Sequence, residues 1–152
     1  MRVEIVAFPR LRLAGLRHDG PYEQISTTFS SLFPKATELG PPHTPDAQWI
    51  AVYAVDPESA NDQLRAYATV SVADDAEIGD LEEVRIVPGT YARAVHVGPH
   101  GGLARTWKLF GIRLSDAGHH VLRDKPTFEM YANQPGGTPD SDLRTELYFP
   151  IR

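Results

Sequence analysis

Glu129 is the one carboxylate in an otherwise apolar and aromatic stretch, Phe128-Glu129-Met130-Tyr131-Ala132-Asn133. On a strand, side chains alternate, so Phe128, Met130 and Ala132 share one face while Glu129, Tyr131 and Asn133 share the other. A carboxylate held among aromatic rings needs water or a cation, because an unpaired buried charge is too unfavourable to keep. Two chemistries follow. The group can pair with a bound cation, with aromatic walls adding cation–π attraction of about 0.5–2 kcal/mol per good contact. It can also act as acid or base on a bound electrophile. The bland alternative is a solvated carboxylate on a sheet edge.

Other reactive groups form no recognisable site. His96 and His100 straddle Gly98-Pro99 and so do not share a helix face as a two-histidine zinc site would. His119-His120 closes a helix, where a cationic side chain is favourable in any case. Gly101-Gly102 precedes a helix without a full phosphate-binding pattern. Ser26, Ser30 and Ser31 lie on a helix with no nucleophile-elbow sequence around them. No metal and no cofactor is expected.

The strand that carries Glu129 occurs twice. Trp49-Ile50-Ala51-Val52-Tyr53-Ala54-Val55-Asp56-Pro57 aligns with residues 127–135 at a fixed offset (131 − 53 = 78), with Ala51 where the second copy has Glu129. Gly20-Pro21-Tyr22 answers Gly98-Pro99-His100 at the same offset, after strands at 11–18 and 91–97. A helical stripe of Tyr22, Ile25, Phe29, Leu32, Ala36 and Leu39, ended by Gly40-Pro41-Pro42, answers Leu103, Trp107, Phe110, Leu114 and Ala117, ended by Gly118. Pro34 inside the first stripe predicts a kink or break. Asp56-Pro57-Glu58-Ser59 reads as a loop, and strands at 66–72 and 145–151 complete the two copies, with another at 84–87 opening the second. Agreement at so many special residues indicates an internal duplication, about 1–72 and 84–152, joined by an acidic, solvated linker at 73–83.

The 152 residues make one domain of two halves sharing a core. The net charge of −5 offers no basic surface for direct nucleic-acid binding. Without cysteine there is neither a disulfide framework nor a thiolate metal site. No stretch resembles a signal peptide or a membrane span, so a cytoplasmic, bacterial-type location is expected.

The fold expected is α/β (α+β): duplicated strand-helix-strand-strand units with pseudo-two-fold symmetry and one shared antiparallel sheet. Two helices would cover one face, with a ligand cleft on the other. Leu147, Phe149 and Ile151 would face the core and Glu146 and Tyr148 the open side. That open face would gather Trp49, Tyr53, Tyr67, Tyr131 and Tyr148 around Glu129, with Glu146 as a second carboxylate, an aromatic patch large enough to mark a binding site. Trp107 lies in the helix stripe, where it reads as core, and is the helix's own candidate for the ligand site.

His18-Asp19-Gly20-Pro21-Tyr22, Gly98-Pro99-His100, Trp107, the block 126–133, Thr138-Pro139 and the closing run 143–151 together resemble the GyrI-like domain family, whose members include effector-binding domains of AraC- and BmrR-type regulators. The resemblance implies a small-molecule cleft in which an acidic residue at the position of Glu129 meets lipophilic, drug-like cations. It also implies a stand-alone protein without a DNA-binding part. Pro34 and the polar loop around His43 depart from the family's usual first half. Two alternative activities come with the resemblance. One is inhibition of DNA gyrase through a protein contact; the other is hydrolysis of cyclopropane-bearing electrophilic genotoxins, with Glu129 as the catalytic residue.

Overall fold

A computed structural model describes residues 1–39, 46–55, 64–135 and 137–152. In chain order the elements are β1 (Glu4–Phe8), β2 (Leu11–His18), α1 (Ile25–Leu39), β3 (Trp49–Val55), β4 (Leu64–Ser71), β5 (Glu82–Ile86), β6 (Gly89–Val97), α2 (Leu103–Asp116), β7 (Thr127–Tyr131) and β8 (Arg144–Pro150). One curled antiparallel sheet takes all eight strands in the order β1-β6-β8-β7-β3-β4-β2-β5. Exchanging β1–β4 for β5–β8 reproduces the same order read from the other end. The fold is α+β, as expected. No helix among the described residues is long and apolar enough to cross a membrane.

The halves are interlocked at their edges. β1 pairs with β6 and β5 with β2, so each outer strand extends the sheet of the other half. The periodicity of 4–8 is too short to announce β1, which the sequence reading does not contain. β5 begins at Glu82, inside the stretch expected to be a solvated linker. Leu81 is buried, and Ala76 and Ile78 pack against the same cluster as α1. The acidic residues between them face water while these apolar ones tie the segment down.

α1 runs through Pro34 without interruption, contrary to the expected break. Pro34 and Ser30 both lie on the exposed side, so water can take the carbonyl bond that the missing N–H leaves open. α2 ends in a Schellman motif: Gly118 N–H donates to the Ser115 carbonyl and His119 N–H to that of Leu114, with Gly118 at φ +81°. The Gly40-Pro41-Pro42 stop, the loop at His43 and the Asp56-Pro57-Glu58-Ser59 loop lie outside the described residues.

The expected assignment of faces needs correction. Register places Glu129 beside Ala51 on one side and Leu147 on the other, while Phe128 lies beside Val52 and Tyr148. The helices cover the face of Ala51, Glu129, Ala68 and Leu147; α1 packs on Ala51, Ala68 and Val70, and α2 contributes Phe110 and Leu114 against Ala92, Ala94 and Leu147. The opposite face is not open either. Leu13, Ile50, Val52, Ile86, Tyr91, Phe128, Met130 and Tyr148 form a second core there. Phe128 stacks on Tyr148 at 4.7 Å between ring centroids, and Phe8 meets both edge-on at 5.1 Å. The sheet curls around this aromatic cluster, so both of its faces are buried and the cleft lies between the helices.

Candidate functional site

The pseudo-two-fold axis passes between β3 and β7, where Ala51 stands directly opposite Glu129. These are the same position in the two halves (129 − 51 = 78). A methyl group on one strand leaves room for the longer carboxyl side chain on the other. Glu129 is only 3% exposed, yet it lines a cavity of about 540 Å³ between the helices. That volume is in the range of small-molecule sites.

The sheet supplies the cavity's floor with Tyr53, Thr127, Glu129, Tyr131 and Phe149. The walls come from the chain just before each helix and from the first turns: Tyr22, Glu23, Ile25 and Ser26 on one side, His100, Gly101, Leu103, Ala104 and Trp107 on the other. The Gly-Pro turns put them there. Gly20 and Gly98 take φ of +108° and +121°, values that a side chain would strain, and the following proline starts a one-turn 3-10 helix. Tyr22 meets Tyr53 edge-on at 5.4 Å, and His100 lies against Tyr131 at 5.2 Å. Tyr22 corresponds to His100, and Tyr53 to Tyr131, at the offset of 78. The cage is therefore nearly symmetric, with its carboxylate in one half only.

Tyr53 Oη donates a hydrogen bond to Glu129 Oε1 at 2.5 Å. Oε2 has no hydrogen-bond partner among the described residues. Burial pushes the Glu129 carboxyl above its ordinary pKa, opposed by the donors Tyr53, Trp107 and Tyr131. Of these only Tyr53 is hydrogen-bonded to the carboxylate among the described residues, and at a short distance; the Trp107 indole and Tyr131 hydroxyl are neighbouring dipoles. Burial, then the Glu129 charge, raise the Tyr53 and Tyr131 phenols as well, keeping both as donors. His100 is held below its usual pKa, chiefly by burial and then by His96, so it adds no positive charge at neutral pH. Glu23 is a second acid at the rim, and among the described residues no lysine or arginine lines the cavity. The arrangement suits a cation with apolar substituents. Among the described residues no group of three or more metal-ligating side chains is gathered.

The family model for the GyrI-like small-molecule-binding domain matches residues 1–152, the whole chain. The chain belongs to the GyrI-like family. Solved structures of the same fold include the EcmrR C-terminal domain, 18% identical with a TM-score of 0.77, covering 99% of this chain and 97% of that one. SAV2435, solved with bound tetraphenylphosphonium, is 14% identical with a TM-score of 0.70, covering 100% and 94%. A protein described as a hydrolase from Listeria innocua is 13% identical with a TM-score of 0.58, covering 99% and 92%. At these identities the likeness is one of fold.

In this GyrI-like cleft, four of the side chains singled out from the sequence come together: Glu129, Tyr131, Tyr53 and Trp107. Trp107 also stacks on Phe110 and meets Phe149 edge-on, joining cleft to core. Trp49 shares the helix-covered face but stacks on Phe33 at 5.8 Å, away from the cavity. Tyr67, Tyr148 and Glu146 lie on the other face of the sheet. Tyr67 faces the same way as its partner Val52. Tyr148 donates to Glu146 Oε1 at 2.6 Å, and Arg93 donates to the same oxygen at 3.1 Å. Burial, then Glu146, push the Tyr148 phenol up to about 12. These residues form a closed polar group at the rim of the second core, and Glu146 is no partner for Glu129. The sequence reading left Tyr22 and His100 out of the site. Their signal was present, since each is the residue that follows a Gly-Pro turn at the repeat offset.

Proposed function

We propose that the protein binds lipophilic, drug-like cations in the cleft between its helices, with Glu129 as the anchoring carboxylate. The observation that carries this reading is a nearly fully buried carboxyl group lining an aromatic cavity, with one oxygen unpaired and no lysine or arginine in the lining among the described residues. A cation would supply the missing partner, and Tyr53, Tyr131 and Trp107 would offer it π faces. The tetraphenylphosphonium held by SAV2435, a protein of the same fold, supports the choice of ligand class.

Thermal unfolding with tetraphenylphosphonium and with a neutral analogue such as triphenylphosphine oxide tests it. A ligand at one hundred times its Kd stabilises the native state by about 2.7 kcal/mol. The cation should raise the melting temperature well beyond the neutral compound; equal shifts, or none, would count against the reading.

A hydrolase is the second reading. It is favoured by the raised pKa of Glu129, which suits a general acid in an apolar pocket, and by the Listeria innocua neighbour described as a hydrolase. Turnover of a strained electrophile at substoichiometric protein distinguishes it from binding alone.

A further inference from the structure

Two histidines outside the lining of the cavity have corresponding partners in the two halves. His18 Nε2 lies 2.7 Å from the Pro21 carbonyl, and its Nδ1 lies 2.7 Å from Thr28 Oγ1 on α1. His96 Nε2 lies 3.0 Å from the Pro99 carbonyl, and its Nδ1 lies 2.7 Å from Thr106 Oγ1 on α2. All three positions match at the offset of 78 (96 − 18, 99 − 21, 106 − 28). Both rings are buried, 7% and 8% exposed. A carbonyl only accepts, so Nε2 carries a hydrogen in each case. In each latch the threonine hydroxyl can donate to Nδ1 or accept from it, and that of Thr106 is shared with the Gly102 carbonyl, 3.3 Å away.

Each latch ties the end of a sheet strand, a Gly-Pro turn and a helix together at one point. The residue after the latched proline is Tyr22 in one half and His100 in the other, and these press on Tyr53 and Tyr131. Tyr53 in turn donates to Glu129. One chain of contact thus ends in a hydrogen bond to the carboxylate, and its symmetry-related counterpart ends at Tyr131, whose hydroxyl neighbours the same group. The second latch is also packed tightly: a Cβ at Gly102 would come within 3.1 Å of His96 Cε1.

We propose that His18 with Thr28, and His96 with Thr106, are paired positioning residues that set the two rims of the cleft, Tyr22 and His100, and so shape the aromatic cage around Glu129. This rests on the cation-binding reading of that cleft. The latches touch no ligand; they act through the rim residues.

The test is a double-mutant cycle on the full chain, read as Kd for tetraphenylphosphonium, with melting temperature recorded for every variant. Thr28→Val keeps the shape and removes the hydroxyl, and should weaken binding about two- to tenfold, the worth of one hydrogen bond. Thr28→Ser, which restores the hydroxyl, should restore affinity. In a Tyr22→Ala background the Thr28→Val effect should vanish while that of Thr106→Val persists, because each latch acts through its own rim residue. A merely structural role would leave the Thr28→Val effect in place in that background. Wild-type affinity in both Thr→Val variants, or a penalty unchanged by Tyr22→Ala, overturns the proposal while leaving the cleft reading intact. Unfolding of both Thr→Val variants overturns it too, by making the latches supports of the fold. A wild type that does not bind the cation overturns the cleft reading, and the role of the latches with it.

Discussion

Replacing Glu129 by glutamine removes the charge and keeps the shape, and it separates the carboxylate's contribution from that of the rings. With the charge of a phenyl-shielded cation about 5 Å from the carboxylate at an effective dielectric of 20, the pair attraction is about 3 kcal/mol. Part of that is offset below the raised pKa, where the carboxyl must lose its proton before it can pair. The net loss expected is about 1.5–3 kcal/mol, or roughly ten- to a hundredfold in Kd. A neutral ligand gains only the apolar and ring contacts, which the substitution leaves alone, so its affinity should stay within about twofold. The empty protein should not lose stability, since Tyr53 can still donate to the amide oxygen and the buried charge is gone. Isothermal titration of wild type and variant with tetraphenylphosphonium and triphenylphosphine oxide provides the comparison. Equal losses for cation and neutral compound would mean that glutamine has only deformed the pocket. No loss for either would refute the role given to the carboxylate.

Tyr53→Phe removes the hydrogen bond that lowers the Glu129 pKa, so cation affinity should fall about two- to tenfold around and below that raised pKa and recover as pH rises, in the same titration. Tyr148→Phe and Glu146→Gln, on the far face of the sheet, should leave cation affinity unchanged; a loss in either would contradict the placement of the cleft between the helices. Phe128→Ala empties the aromatic core on that face and should cost about 3–5 kcal/mol in urea unfolding. For stability against pH, Glu129 ionises first in the unfolded chain, because its folded pKa is the higher one. Its burial penalty is absent below the ordinary carboxylate range, grows as pH rises through the window up to the raised value, and is fully present above it. The stability of Glu129→Gln relative to wild type should therefore increase with pH across that window, measured by urea midpoint.

The duplication and its elements were legible because glycine, proline and helix stripes recur at one offset, and these residue types have few structural meanings. Glu129 and Tyr131 stood out because a charge is unusual on such a strand. What alternation cannot supply is the phase between neighbouring strands. Parity relates Tyr148 to Glu146 within β8, but only register shows that Tyr148 lies beside Phe128 rather than Glu129. A sheet buried on both faces makes this worse, since Ile50 and Val52 on one side of β3 are as buried as Ala51 on the other. The apolar set then fails to mark a single core side. Pro34 misled for a local reason, because its effect on α1 depends on whether water reaches the freed carbonyl. The rim residues Tyr22 and His100 needed the turn geometry that brings both helix starts to one cleft.

The proton balance of cation binding tests the central claim most directly. A buried carboxyl that is protonated when the cleft is empty must give up its proton to pair with a cation. Calorimetric titration of tetraphenylphosphonium in buffers of different ionisation enthalpy counts that proton. Below the raised pKa of Glu129 the wild type should release close to one proton per cation bound, falling towards zero at higher pH, and Glu129→Gln should release none. Binding without proton release by the wild type at every pH, or equal release by the variant, would contradict Glu129 as the group that receives the cation.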